Sequence, residues 1–195
     1  MLYLKRDAFK SIGKRLGRSF GKLPPSPNQW TSLSLVLALI TFYFLINQNF
    51  SLAAVVFAFA AFIDMIDGAV ARETKTVTKM GGYLDSVTDR VIEFIIIFGL
   101  FIVGYPAVVL PISVWLLFLL FGSFMSTYLR AAAFEKQVYK DLKGGILEHT
   151  DRLLFLLAIF IVSAISLSYA SYLIVLMAAL ANLSALQRFA KAIKR

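Results

Sequence analysis

The sequence predicts an all-α integral membrane protein: six transmembrane helices preceded by an N-terminal interfacial amphipathic helix. Composition is the first observation. Of 195 residues, 59% are hydrophobic and only 16% charged, whereas a soluble domain runs nearer a quarter charged and under half apolar. The mean hydropathy is +0.79. The second observation is that the charges cluster between long uncharged stretches. The third is length, since a bilayer core about 30 Å thick needs roughly 20 apolar residues per helix, and six stretches of that kind are present. The same composition excludes a disordered chain, and the absence of cysteine excludes a disulfide scaffold or a zinc ribbon.

The six spans are expected at Trp30–Asn47, Leu52–Arg72, Gly81–Gly104, Ala107–Ala133, Leu147–Leu167 and Tyr169–Phe189. Turn-forming residues separate them: Asn47-Gln48-Asn49, Gly104-Tyr105-Pro106 and the serine-rich stretch Ser166–Ser171. Barrel strands are short and alternating, so these continuous runs do not read as strands. Residues 1–23 carry Phe9, Ile12, Leu16, Phe20 and Leu23 at helical spacing among basic side chains. This predicts a helix lying on the membrane surface, not a signal peptide. Leu23-Pro24-Pro25-Ser26-Pro27-Asn28 then turns the chain into the membrane, and residues 24–195 form one transmembrane domain.

The net charge of +9, from 20 Lys and Arg against 11 Asp and Glu, suits nucleic acid or an anionic membrane surface. Its distribution selects the membrane and leaves no nucleic-acid partner. Basic residues precede the first span, follow the second and fourth, and end the chain. The first, third and fifth connections contain none. By the positive-inside rule both termini are cytoplasmic, in a multi-pass protein of the cell membrane.

Four aspartates interrupt this apolar pattern. Asp64 and Asp67 are three apart near the end of the second span, and Asp85 and Asp89 are four apart near the start of the third. Each pair therefore shares a helix face. An intramembrane carboxylate costs about 2.5–3.5 kcal/mol on insertion scales, so four of them imply a function. Clustered carboxylates bind cations or share protons. An all-oxygen donor set suits Mg²⁺ or Mn²⁺, which in turn suit a phosphorylated substrate. Gly68, Ala71 and Gly81 would allow close approach to the backbone, and Arg72 offers a phosphate-binding fork. Two ions about 3.5–4 Å apart would serve an in-line displacement at phosphorus.

The segment from Asp64 to Asp89 reads D-x2-D-G-x2-A-R-x8-G-x3-D-x3-D, and it resembles the signature of the CDP-alcohol phosphotransferase family. That resemblance implies displacement of CMP from a CDP-linked lipid by an acceptor hydroxyl. It assigns two divalent ions to Asp64, Asp67 and Asp85, with Asp89 as general base and further ligand. The nucleotide falls to Asp64, Gly68, Ala71 and Arg72. Ser26-Pro27-Asn28-Gln29-Trp30-Thr31 resembles the family's S-P-N-x-x-T segment, which would add Asn28 and Thr31 to the nucleotide site; a proline and a polar cap account for those residues as well.

Arg130, Arg152 and Arg188 stand at the ends of the fourth, fifth and sixth hydrophobic stretches. Position alone leaves them either flanking charges or a joint anion site. Their surroundings resemble the family branch of phosphatidylinositol phosphate and archaetidylinositol phosphate synthases, which implies that they bind the phosphate of an inositol phosphate acceptor. His149 and Asp151 depart from that branch's E-R-x-E-R pattern. The same chemistry would accommodate glycerol phosphate, serine or free inositol as acceptor, or a CDP-inositol donor. The resemblance also implies a homodimer surrounded by membrane lipids. His149, the sole histidine, reads as a solvated loop residue, Glu93 as an extension of the polar face or a partner on Arg90's side of the loop and not as a catalytic group, and Trp30 and Tyr43 as interface anchors. A carboxylate-based cation or proton transporter is the alternative from another class.

Overall fold

A computed structural model describes residues 16–22, 25–139, 142 and 144–193. Among them are six long helices: α1 (Pro27–Ile46), α2 (Phe50–Glu73), α3 (Lys79–Val103), α4 (Ile112–Glu135), α5 (His149–Ser163) and α6 (Leu167–Ile193). The described residues contain no strand, only an isolated bridge between Val108 and Leu110. Four helices, α1, α2, α4 and α6, are long and apolar enough to cross a membrane by length and composition. α3 carries Asp85, Asp89, Arg90 and Glu93 within its first 15 residues, which dilutes its apolar character. α5 has 15 residues, about 22 Å of helix, and is shorter than the expected Leu147–Leu167. It begins where the Glu148 N–H donates to Asp151 and stops before the turn at Ile165 and Ser166.

The chain forms two compact units, Leu2–Gly99 and Leu100–Arg195. In the first, α1 and α2 pack along one another. Ser34, Ala38, Thr41 and Leu45 form the buried stripe of α1, and Ala53, Ala54, Phe57 and Ala60 that of α2. Small residues at helical spacing let backbones approach where no hydrophobic effect drives association. Ser34 and Thr41 donate to the carbonyls of Thr31 and Leu37, so neither hydroxyl is buried unsatisfied. α3 joins through Phe98, stacked on Phe42 at 6.1 Å.

Most of the expected surface helix lies outside the described residues. Residues 16–20 are helical and dock on α2. A Cβ at Gly17 would sit 2.6 Å from the Ala69 carbonyl oxygen, Arg18 pairs with Glu73 at 3.0 Å, and Phe20 meets Trp30 edge-on at 6.0 Å. Trp30 is therefore not an interface anchor. It is buried with Ile66 and Val70, because the neighbouring helical segment covers the face that the sequence alone would leave to lipid headgroups. Tyr43, by contrast, is exposed.

In the second unit α4 and α5 each pack on α6. The buried stripe of α6 runs through Ile174, Met177, Ala178, Ala181, Ser184, Ala185 and Arg188. α4 and α6 cross at Gly122, where a Cβ would lie 2.7 Å from the backbone nitrogen of Asn182. Asn182 Nδ2 donates to the Phe118 carbonyl at 2.8 Å, a polar tie of the kind that joins helices in lipid. The connection after α3 turns at Gly104, whose φ of +74° favours glycine. The Tyr105 hydroxyl pairs with Ser163 Oγ at 2.8 Å, while burial pushes the Tyr105 phenol up to about 12. Ser171 donates to the Pro106 carbonyl. Gly122→Ala should destabilise the protein by about 1–3 kcal/mol, the usual cost of overpacking. A lowered thermal midpoint in detergent, followed by circular dichroism, is the expected result; an unchanged midpoint would show that this crossing has room to spare.

Candidate active site

The acidic segment folds as helix, turn and helix. α2 ends at Glu73, capped by Thr74, whose N–H and hydroxyl both reach the Val70 carbonyl. α3 opens after Thr78, whose hydroxyl accepts the Gly81 N–H at 2.9 Å. This short connection brings the two aspartate pairs together. Asp64, Asp67 and Asp85 each present a carboxylate oxygen, and the three oxygens lie within 4.8 Å of one another; oxygens of Asp64 and Asp89 also come within that distance. Asp67 is the buried member at 4% exposure. Such a group of hard oxygen donors fits a divalent cation, which would offset the mutual repulsion of the carboxylates.

α1 orients the buried aspartate. Thr31 Oγ1 lies 2.7 Å from Asp67 Oδ2 as donor, and 3.1 Å from the Pro27 carbonyl. Thr31 in turn is fixed by a well-formed helix start: Pro27 occupies the first position and the Ser26 N–H donates to Gln29 Oε1 at 2.7 Å. Thr31 thus supports a candidate metal ligand in addition to facing the cavity. Thirty-six residues separate the pair, and nothing local in the sequence signals it.

A cavity of about 420 Å³ opens beside these side chains. Of the residues predicted from sequence, Asn28, Thr31, Asp67, Gly68, Ala71, Arg72, Gly81 and Asp85 all line it. Ser26, Pro27 and Gly82 line it too, as do the turn residues Thr76, Val77 and Thr78, which carry no motif of their own. Arg72 folds back along the helix over Gly68, where an added Cβ would sit 3.1 Å from Arg72 Nη1. The missing side chain at Gly68 therefore makes space for the guanidinium as well as for a ligand. A concave surface with carboxylates on one side and an arginine on another suits a cation together with a phosphate.

The three acceptor-candidate arginines lie in the second unit in different environments. Arg130 is exposed on α4, whereas Arg152 and Arg188 are buried. Arg188 braces the backbone, since Nη1 donates to the Ser126 carbonyl at 2.6 Å and Nε to the Gly144 carbonyl at 3.3 Å. Its neighbours hold the same loop, with Gln187 Oε1 accepting the Ile146 N–H and Ser184 Oγ donating to the Leu147 carbonyl. A Cβ at Gly145 would run into Ser184 Oγ. α6 thereby secures the segment leading into His149 and Arg152. His149 is no loop residue; it is the first residue of α5 and half-buried. Glu93 is buried and accepts a hydrogen bond from Arg90, in agreement with its expected partner.

Residues 25–184 match the family model described as CDP-alcohol phosphatidyltransferase. The chain is 33% identical to the archaetidylinositol phosphate synthase of Pyrococcus horikoshii, covering 100% of this chain and 98% of that protein. Against the archaetidylinositol phosphate synthase of Aeropyrum pernix it is 29% identical, covering 91% and 88%. The phosphatidylinositol phosphate synthase of Mycobacterium tuberculosis, solved with CDP-DAG bound, has the same fold: the TM-score is 0.77 at 23% identity, over 95% of this chain and 98% of that one. A structure of the same enzyme in complex with manganese and citrate gives a TM-score of 0.79 at 22% identity, over 94% and 92%.

If Thr31 orients Asp67 for a cation, Thr31→Val should weaken Mn²⁺ binding by about tenfold, the lower end for loss of a ligand's supporting hydrogen bond. Thr31→Ser should retain it. Electron paramagnetic resonance of Mn²⁺ titrated into the purified protein reads both, and equal affinity in all three proteins would dissociate Thr31 from the ligand set.

Proposed function

The chain belongs to the CDP-alcohol phosphatidyltransferase family, an integral-membrane transferase family, and from that premise we propose that it transfers a phosphatidyl or archaetidyl group from a CDP-lipid to the hydroxyl of inositol phosphate, releasing CMP. The observation that carries the proposal is the gathering of the signature carboxylates on α2 and α3 within 4.8 Å, beside a cavity lined by Asn28, Gly68, Ala71 and Arg72. Full-length similarity to archaetidylinositol phosphate synthases supports the acceptor.

In this scheme Asp64, Asp67 and Asp85, with Asp89 as a further ligand, would hold two Mg²⁺ or Mn²⁺ ions. Such ions supply charge neutralisation for the pyrophosphate and the departing CMP phosphate. Asn28, Thr31, Asp64, Gly68, Ala71 and Arg72 receive the cytidine nucleotide, with the Arg72 fork on phosphate oxygens. Asp89 accepts the proton of the acceptor hydroxyl as its oxygen bonds to the β-phosphorus, and the bond from that phosphorus to the CMP oxygen breaks. Arg130, Arg152 and Arg188 bind the acceptor's phosphate.

The proposed topology is six spans with both termini and the site on the cytoplasmic side. The clustering of Lys and Arg before the first span and after the second, fourth and sixth supports it. The proposed assembly is a homodimer, to be read from the mass of the detergent-solubilised protein.

The test is CMP release by purified protein given CDP-lipid and, in turn, inositol phosphate, glycerol phosphate, serine and inositol. Turnover with inositol phosphate is expected; turnover only with serine would overturn the acceptor assignment. Asp89→Asn should cut turnover by about 10²–10⁴ while sparing CDP-lipid binding, as loss of a general base does. Arg130→Ala and Arg152→Ala should raise the KM of the acceptor more than that of the donor, and equal effects on both would remove those arginines from the acceptor site.

A further inference from the structure

The end of α2 has two faces, and one of them serves the cavity: Asp67, Gly68, Ala71 and Arg72 line it. Phe62, Ile66, Ala69 and Glu73, at spacings of four, three and four, form the face behind it. The helical residues 16–20 and the turn that follows lie against that rear face. A Cβ at Gly17 would sit 2.6 Å from the Ala69 carbonyl oxygen and 2.9 Å from Glu73 Cβ, and one at Gly21 would meet the Thr74 methyl at 3.2 Å. Phe20 stands edge-on to Phe62 at 6.1 Å and to Trp30 at 6.0 Å. Trp30 directly precedes Thr31, which also lines the cavity. Residues 16–22 thus back the cavity wall on α1 and on α2. We propose that this segment is a positioning element for the nucleotide, acting through Gly17: its close approach to Ala69 sets where the last turns of α2 lie, and with them Gly68, Ala71 and Arg72.

The contacts differ in strength. Arg18 Nε pairs with Glu73 Oε1 at 3.0 Å, yet the Arg18 side chain is 70% exposed, and an ion pair in solvent is a weak tie. The rings around Phe20 add apolar packing. The approach at Gly17 is stricter, because the opposing atom is a backbone oxygen, which no side-chain rotation can move aside. Close backbone approach of this kind is what holds helices together where lipid offers no hydrophobic drive. A side chain at position 17 would push the segment and α2 apart. Gly68 adjoins Ala69, and Arg72 adjoins Glu73, so a shift of the rear face carries the front face with it. The Arg72 guanidinium, which lies over Gly68, is offered to a phosphate from that backbone. A misplacement of about 1 Å is enough to lose the alignment of a binding group.

This inference rests on the cavity being the nucleotide site, and the experiment separates the two. CDP is titrated calorimetrically, in Mg²⁺ buffer, into purified wild-type protein and into Gly17→Val, Phe20→Ala and Ser19→Val, each titration giving a Kd and a number of sites. Ser19 is exposed on the same segment, so Ser19→Val adds apolar bulk there on the exposed side. Gly17→Val is expected to raise the Kd about tenfold or more, and Phe20→Ala to raise it in the same direction, with Ser19→Val unchanged. A merely structural contact would lower the number of sites, through loss of folded protein, and leave the Kd of the remaining sites at the wild-type value; that result overturns the inference. So does a Ser19→Val protein that binds as weakly as Gly17→Val. Where Gly17→Val yields no folded protein, Phe20→Ala, which introduces no clash, decides on the same criterion. Absence of CDP binding by the wild-type protein overturns the nucleotide assignment of the cavity and this inference with it.

Discussion

Mutual repulsion among four carboxylates is the constraint around which the first half of the protein is organised. Oxygens of Asp64, Asp67 and Asp85 lie within 4.8 Å of one another, and Asp64 and Asp89 approach as closely. Anions at this separation in a chain that crosses a bilayer are unfavourable unless positive charge joins them. The fold meets that demand with geometry. A tight turn aligns α2 with α3, and Thr31 donates to the most buried carboxylate. Arg72 lines the adjoining cavity, and Arg90 stands 3.9 Å from Asp89. Held in this arrangement, the carboxylates form a set of hard oxygen donors that suits a divalent cation.

The second unit solves a different problem, that of holding irregular backbone against a helix. The loop 144–148 has carbonyl and N–H groups with no helical partners, and buried backbone of this kind requires side chains to satisfy it. α6 supplies them from one end: Ser184, Gln187 and Arg188 reach Leu147, Ile146 and Gly144 in turn. Gly145 permits the close contact that this bonding needs. Arg188 also reaches the Ser126 carbonyl of α4, so a single guanidinium links α4, the loop and α6. Two of its donors therefore serve the backbone, in contrast to Arg130, which is exposed on α4.

Legibility from sequence followed the range of each interaction. Features set by local spacing were readable: the paired aspartates, the approach of Glu93 to Arg90, the turns at Asn47 and Gly104, and the apolar runs that became α1, α2, α4 and α6. Features set by contact between distant segments were not. Thr31 read as a nucleotide contact or a capping residue, and its bond to Asp67 depends on how α1 lies along α2. Trp30 read as an interface anchor because a tryptophan after a proline-rich turn suits a headgroup layer; only the docking of Phe20 and Gly17 on α2 makes it a core residue. α5 came out shorter than its apolar run, since Glu148 and Asp151 set its start by side-chain bonding and a turn through Ile165 and Ser166 ends it, and hydropathy carries no record of such bonds.

Charge placement also explains why an apolar chain tolerates its acidic segment at all. Insertion into lipid penalises isolated ions, and the penalty falls when they lie near a helix end or are paired on formation of the helix. Asp64 and Asp67 occupy the last turns of α2, and Asp85 and Asp89 the early turns of α3. Beyond them α3 continues as Phe94 to Val103 without a charge. Glu93 is the last ion along that helix, and it carries its own cation three residues back, a partner available as soon as the helix forms. The motif carboxylates meet one another across the turn instead, with Arg90 of the same helix 3.9 Å from Asp89. Along α3 the charges thus end with an acid paired on its own helix, and the apolar stretch that follows carries none.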